Sequence, residues 1–269
     1  MNNRTQPKII WFLWLQGLDD SPLVVKKCYA SWVKHNPGWQ VNLLDANTIG
    51  QYLSVDVPGI TRQALSDILR ITLLQKYGGV WVDATCYCNK SLDDWLYPYL
   101  STGFFAFERP APDRMMSSWF LASVKGNYIV SAYKKAVDNY WNENPRLVFF
   151  ENSRWYFLRK LLKNKPPQWW FGVIATKVLK IYPYFWFHYL FESVYLRDGE
   201  FRRQWDATPK ISADIPHRIQ YAGMFSPAND DMKTEICNKT APVYKLSWKY
   251  DAANYRAGTL MYYLLERED

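Results

Sequence analysis

Tyr77-Gly78-Gly79-Val80-Trp81-Val82-Asp83-Ala84-Thr85 is the stretch that decides the fold. Ahead of it, Leu65, Ile68, Leu69 and Leu73 recur at the spacing of one helical face and predict a helix over 66–77. The glycine pair ends that helix, as a C-terminal cap does. Val80-Trp81-Val82 is apolar at every position and predicts a strand buried on both faces, stopping at the carboxylate of Asp83. In open α/β sheets ligands lie outside the carboxyl ends of strands, so an acid there is placed to meet a ligand or its metal. A turn or capping aspartate is the other reading, since Asp is common in turns.

Working outward, residues 8–15 (KIIWFLWL) predict a first buried strand closed by Gln16-Gly17. Cys28 to His35 predicts a helix ended by Asn36-Pro37-Gly38, and residues 39–44 (WQVNLL) a second strand. Downstream, Gly103 to Phe107 predicts a further strand and Ser117 to Ser123 the start of a further helix. The alternation of strand and helix implies an α/β fold.

The chain has 269 residues, enough for one large domain or one domain with an insertion. Its charged and apolar fractions are those of a globular protein and exclude a disordered tail. Aromatics are unusually dense at 18%, which suits sugar platforms, base stacking or a membrane interface. The net charge of +8 favours an anionic partner. Residues 154–197 hold eight basic residues against one acidic, a net +7 of the chain's +8, and 14 of its 48 aromatics. Four cysteines (Cys28, Cys86, Cys88, Cys237) at this length suggest reduced, buried thiols rather than a disulfide framework. The N-terminal segment MNNRTQPKIIWFLWLQG lacks a small-residue cleavage site, and residues 169–196 are interrupted by Lys177, Lys180, Pro183 and Glu192, so neither a signal peptide nor a membrane span is expected. The expected location is the cytoplasm, against the inner face of the cell membrane.

Besides Asp83, two groups are candidates for chemistry. Asp67 and Arg70 lie three apart on an otherwise apolar helix; they are either a surface pair or a buried pair that holds something. Tyr244-Lys245-Leu246-Ser247-Trp248-Lys249 packs a hydroxyl, an indole and two cations into six residues, suiting either a phosphate grip or an edge strand with exposed lysines. Glu108 and Asp113 follow the 103–107 strand and are weaker candidates to face an acceptor. His35 and His217 read as satisfied polar residues rather than ligands.

Taken together, Pro7-Lys8-Ile9-Ile10, Trp14, Gln16-Gly17, Ser31-Trp32, Asn36-Pro37-Gly38-Trp39, Ala64-Leu65-Ser66-Asp67-Ile68-Leu69-Arg70 and residues 77–85 resemble the bacterial capsular polysaccharide synthesis proteins. These are similar to glycosyltransferase family 32, the mannosyltransferase-like enzymes with a DxD sugar-binding region, and distantly to the large glucosylating toxins. The likeness covers about residues 7–125 and 240–250. It implies a GT-A, Rossmann-like fold with a mostly parallel sheet, here carrying a helical aromatic and basic insertion at about 145–205. It also implies a nucleotide-sugar donor, a divalent cation (Mn²⁺ or Mg²⁺) and retention of anomeric configuration. By position, Trp14 resembles the residue that stacks on the donor base. Asp67 and Arg70 resemble the pair that hydrogen-bonds the donor sugar and ribose. Asp83 resembles the first Asp of the DxD motif, and Ser247 and Trp248 the residues that reach the diphosphate.

The chain departs from that pattern at Thr85, which stands where the second DxD carboxylate, usually the direct metal ligand, would be. A hydroxyl is a neutral and weaker ligand for a hard cation. Either Asp83 and the diphosphate hold the ion, or lysines such as Lys245 and Lys249 replace it. The expected function is transfer of a sugar from a nucleoside-diphosphate donor to a growing, lipid-linked surface glycan such as capsular polysaccharide. Residues 154–197 would dock on an anionic membrane, and no nucleic-acid partner is expected. The alternatives are a basic membrane-surface or nucleic-acid-binding protein without catalysis, and a degenerate transferase that binds donor without turnover.

Overall fold

A computed structural model describes residues 6–53, 60–162 and 165–267. Residues 1–5 of the N-terminal segment and Lys163, one of the cations counted above, lie outside them. In chain order the elements are β1 (Ile9–Leu13), α1 (Leu23–His35), β2 (Gln40–Leu44), α2 (Arg62–Tyr77), β3 (Gly79–Asp83), β4 (Cys86–Cys88), β5 (Phe104–Ala111) and β6 (Arg114–Ser123). There follow α3 (Tyr128–Glu143), β7 (Val148–Phe149), α4 (Arg159–Leu162), β8 (Ile181–Tyr182), α5 (Trp186–Arg197), α6 (Gly199–Ala207), α7 (Asp214–Ala222), α8 (Asp230–Cys237), β9 (Val243–Lys245) and α9 (Leu260–Glu266).

The main sheet has the order β2-β1-β3-β6-β5. β1 pairs in parallel with β2 and β3, whereas β3–β6 and β6–β5 are antiparallel. The sheet is thus mixed, which corrects the expectation of a mostly parallel one. The cause is the β5–β6 hairpin, which inserts β6 against β3. Ser117 to Ser123 is the second half of β6, not a helix. Its residues are buried on both faces, so the apolar run carries no alternation to separate strand from helix.

The period-two alternation of the strands builds a core on each face. Ile10, Phe12, Val80, Val82, Phe105, Phe107 and Phe120 pack with Val24, Val25, Cys28 and Trp32 of α1. Trp11, Leu13, Trp81, Phe104, Ala106 and Leu121 face Ile68, Leu69 and Leu73 of α2 and the ring-rich faces of α3, α5 and α6. α2 starts earlier than the periodicity suggested because Thr61 caps it, its hydroxyl accepting from Ala64 N. It ends at Gly78, with φ +72°. A Cβ on Gly79 (φ +96°) would stand 2.5 Å from Ile9 O, so β1 and α2 meet β3 this closely only across glycines.

Segment 145–205 is built of short pieces: the β7–β8 pair, α4, a π-helical turn over Ile174–Leu179, and then α5 and α6. Phe150, Leu162, Trp170 and Ile181 make a small core of their own. Trp186, Phe187 and Phe191 of α5 and Phe201 and Trp205 of α6 join the main core. Cys28, Cys86 and Cys88 are buried free thiols, as expected, but Cys237 is exposed at the end of α8.

Candidate active site

β1 continues through α1 to β2 on one side of itself, and β2 through α2 to β3 on the other. The strand order therefore reverses between β1 and β3, and the crevice at their carboxyl ends is the topological switch point where open α/β sheets bind ligands. Asp83 ends β3 opposite Leu13, and Trp14 is the next residue of the chain. α2 runs antiparallel to the strand it feeds, which brings its N-terminal half, with Asp67 and Arg70, beside the same edge. β9 completes the site: it pairs with β4 so that Lys245 lies opposite Cys86, and Leu246 N donates to Thr85 O at 2.8 Å.

The charged side chains meet. Arg70 Nη1 lies 3.2 Å from Asp67 Oδ1, and Nη2 lies 3.4 Å from Asp83 Oδ1. Lys245 Nζ lies 3.3 Å from Asp83 Oδ2 and donates to Thr85 Oγ1 at 2.7 Å. The Trp81 indole donates to Asp83 Oδ1 at 3.1 Å. Arg70 is held further by Ser118 O (2.7 Å) and Ser66 Oγ (2.9 Å), with its guanidinium over the rings of Trp81 and Phe187. Its side chain is 6% exposed and that of Asp67 11%, so the pair is buried, and this decides between the two readings of it.

Burial raises the Asp67 carboxyl to about 7; Arg70 opposes the rise and Asp83 adds to it. Burial acts in the same direction on Asp83, but Lys245 and Arg70, with the Trp81 N–H, outweigh it and hold that carboxyl below its ordinary value. For Lys245 burial favours the neutral amine, yet Asp83 prevails and the ammonium is stabilised. The site thus has one firmly ionised acid and one poised near neutrality.

Trp14 and Trp248 meet edge to face, centroids 5.9 Å apart, and the Trp14 indole N–H is buried with no hydrogen-bond partner among the described residues. Trp248 is 46% exposed, and Lys249 Nζ lies 5.7 Å from its ring centroid. Ser247 Oγ accepts from Lys249 N at 3.2 Å, closing a short turn. Lys245 is therefore a member of the buried cluster rather than an exposed edge lysine, and Lys249 stays on the rim. Glu108 is tied into the body of the fold, exchanging backbone bonds with Ile211 and Ala213. Asp113 sits at the tip of the β5–β6 hairpin, where it accepts from Tyr189 and pairs with Arg114. His217 bonds Ala213 O through Nδ1 and packs edge-on against Trp119.

Two residues near the cluster escaped the sequence reading. His188, on α5, has a buried Nδ1 without a hydrogen-bond partner among the described residues. Burial, then Arg114 and Arg70, depress its pKa to about 3, keeping it neutral. Burial, then the negative charges of Asp67 and Asp83, push the Tyr184 hydroxyl above its ordinary value. Neither carries a local sequence signal: His188 lies on α5 and Tyr184 just ahead of it, about a hundred residues along the chain from Asp83.

A divalent cation at Asp83 would find one carboxylate and one hydroxyl, both engaged by Lys245. Among the described residues no group of three His, Cys, Asp or Glu side chains gathers as a metal site. The residues present do not fit a tightly held cation.

Comparison with known proteins bears on the family of the chain. A family model described as capsular polysaccharide synthesis protein matches residues 1–164 and 174–264. An O-glycosyltransferase, braB of Annulohypoxylon truncatum, is 26% identical over 189 residues, 61% of this chain and 44% of that protein. The glycosyltransferase afumC of Aspergillus fumigatus is 24% identical over 159 residues, 49% of this chain and 40% of that one. An uncharacterized glycosyltransferase, L373 of Acanthamoeba polyphaga mimivirus, is 28% identical over 109 residues, 37% of this chain and 41% of that one. The chain spans less than half the length of these curated relatives. Among solved structures, PaToxG glycosyltransferase superimposes with a TM-score of 0.41 at 15% identity, covering 87% of this chain and 84% of that one.

Proposed function

Because the chain belongs to the capsular polysaccharide synthesis protein family, we propose that it is a nucleotide-sugar-dependent glycosyltransferase of GT-A type, akin to glycosyltransferase family 32, with residues 1–269 forming one catalytic domain. The observation that carries this reading is the convergence of Asp67, Arg70, Asp83 and Lys245 at the β1/β3 switch point beside two indoles. Burying Asp67, Arg70 and Lys245, with Asp83 partly exposed beside them, is costly unless they hold something, and a nucleoside-diphosphate sugar offers hydroxyls and phosphates that use such groups. The rings of Trp14 and Trp248 suit a base. Asp67 and Asp83 accept hydrogen bonds from sugar and ribose hydroxyls, and the cations face the diphosphate.

In the transfer, the bond from the anomeric carbon to the phosphate oxygen breaks while the acceptor oxygen bonds that carbon. The transition state is oxocarbenium-like and the diphosphate gains charge, which fixed cations stabilise. With attack from the leaving-group side, the acceptor proton passes to the departing phosphate oxygen. Configuration is then retained, and orientation matters more than a strong base. Asp113, at the tip of the β5–β6 hairpin, is the candidate to face the acceptor.

The acceptor is a glycan, lipid-linked, and residues 154–197 rest on an anionic membrane while presenting it. Phe157, Leu161, Val173, Ile174 and Val178 are between 55% and 70% exposed within a segment rich in cations, a combination that favours an anionic lipid interface. No helix of the described residues is long and apolar enough to cross a membrane. The functional reading is tested by offering the full chain a panel of UDP-, GDP- and dTDP-sugars and measuring release of nucleoside diphosphate, with Asp83→Asn alongside.

A further inference from the structure

Resting on the functional reading above, we infer that the Lys245 ammonium occupies the place of the divalent cation, so that this site binds and releases a diphosphate without metal. The geometry is direct. Thr85 stands where a second carboxylate is expected, and Lys245 Nζ bridges the two positions, 2.7 Å from Thr85 Oγ1 and 3.3 Å from Asp83 Oδ2. The backbone holds it there: β9 is laddered to β4 immediately after this loop, with Leu246 N on Thr85 O. A metal entering between Asp83 and Thr85 would meet the ammonium at contact distance. It would also strip Lys245 of its partners inside a largely buried site, where its side chain is only 16% exposed.

Charge matching supports the same reading. Two carboxylates balance a divalent cation, whereas one carboxylate and a hydroxyl balance a single ammonium. Thr85 and Lys245 together thus keep the charge balance that a second carboxylate and a divalent cation would give. An ammonium carries three N–H donors, of which Asp83 and Thr85 engage two, leaving the third for a diphosphate oxygen. Arg70, also bound to Asp83, supplies the second fixed positive charge. Lys245 stays protonated throughout and transfers nothing; its part is to neutralise the leaving diphosphate, the role of a preorganised cation.

The test measures binding of UDP, GDP, ADP and dTDP to the full chain by calorimetry, in excess EDTA and in MnCl₂. At least one nucleotide is expected to bind in EDTA, with Mn²⁺ changing its Kd by less than about threefold. Lys245→Ala should weaken that binding about tenfold or more, and Lys245→Arg, which keeps the charge, should recover part of it. Thr85→Asp should weaken it with or without Mn²⁺, because the added carboxylate repels the diphosphate. Binding that is lost in EDTA and restored by Mn²⁺, or tightening of Thr85→Asp by Mn²⁺, overturns the inference and leaves the transferase reading standing. The EDTA and Mn²⁺ comparison on the wild type needs no variant to fold. Absence of binding by all four nucleotides in both conditions overturns the functional reading, and the inference with it.

Discussion

Two regions of the molecule invert the usual placement of charge and oil, and they do so in opposite directions. At the β1/β3 edge, Asp67, Arg70 and Lys245 sit largely inside, with Asp83 beside them. In residues 148–185, large apolar side chains stand in water. The first region satisfies its charges one against another, through an arginine with five hydrogen-bonding and ionic contacts and a lysine shared by two acceptors. In the second, Phe150, Leu162, Trp170 and Ile181 make a small core of their own, and the outer residues are left uncovered. Buried ion pairs are often no more stabilising than apolar residues of the same volume, and large exposed apolar patches are unusual, so both regions are candidates for function.

The sharpest way to break this contrast is Arg70→Ala. It leaves Asp67 and Asp83 without their shared partner, and unpaired buried charge costs about 3–5 kcal/mol. Denaturant unfolding should show a loss of that size, together with at least about a tenfold fall in donor turnover. A loss below about 0.5 kcal/mol would make it a surface pair after all.

A second test uses Asp67, whose carboxyl lies near 7 in the folded protein and about 3.9 in the unfolded chain. Between those values the folded state binds more protons, so the contribution of Asp67 is full below about pH 4 and is lost as pH rises through 7. The stability of the wild type minus that of Asp67→Asn should therefore fall by at most about 1.4 kcal/mol per pH unit over this window. A flat or rising difference would show that Arg70 keeps Asp67 ionised. Asp83, held low, has the opposite sign: its stabilisation is lost only in acid.

The smallest effect on stability belongs to the other region. Phe157→Ser with Leu161→Ser touches exposed side chains and should change unfolding free energy by less than about 0.5 kcal/mol. It should nonetheless lower sedimentation with phosphatidylserine vesicles at physiological salt. A wild type that ignores such vesicles removes the membrane reading.

These two regions were not equally legible in the sequence. Residues 65–85 could be read as helix, glycine cap, strand and acid because each of those signals is local, and the structure gives α2, Gly78, β3 and Asp83 in that order. Asp67 and Arg70 stood out because charge is rare on an apolar helix face. β6 did not, since burial on both faces erases the alternation that marks a strand, and the mostly parallel sheet implied by the family resemblance left no place for its antiparallel pairing with β3. Lys245 was visible as a cation, but its link to Thr85 spans 160 residues and depends on the β4–β9 ladder. His188 follows Phe187, the ring beneath Arg70, and takes that place only through the packing of α5 against the main core, which no local pattern encodes.

Turnover of nucleotide sugars by the wild type and by Asp83→Asn bears most directly on what the switch-point cluster is for. The wild type should release nucleoside diphosphate from one donor of the panel selectively. The asparagine, equal in size but uncharged, should remain folded and lose about 10²–10³ in rate, several kcal/mol of transition-state stabilisation. If no donor is turned over, or if Asp83→Asn works as fast as the wild type, the cluster is not a glycosyl-transfer site.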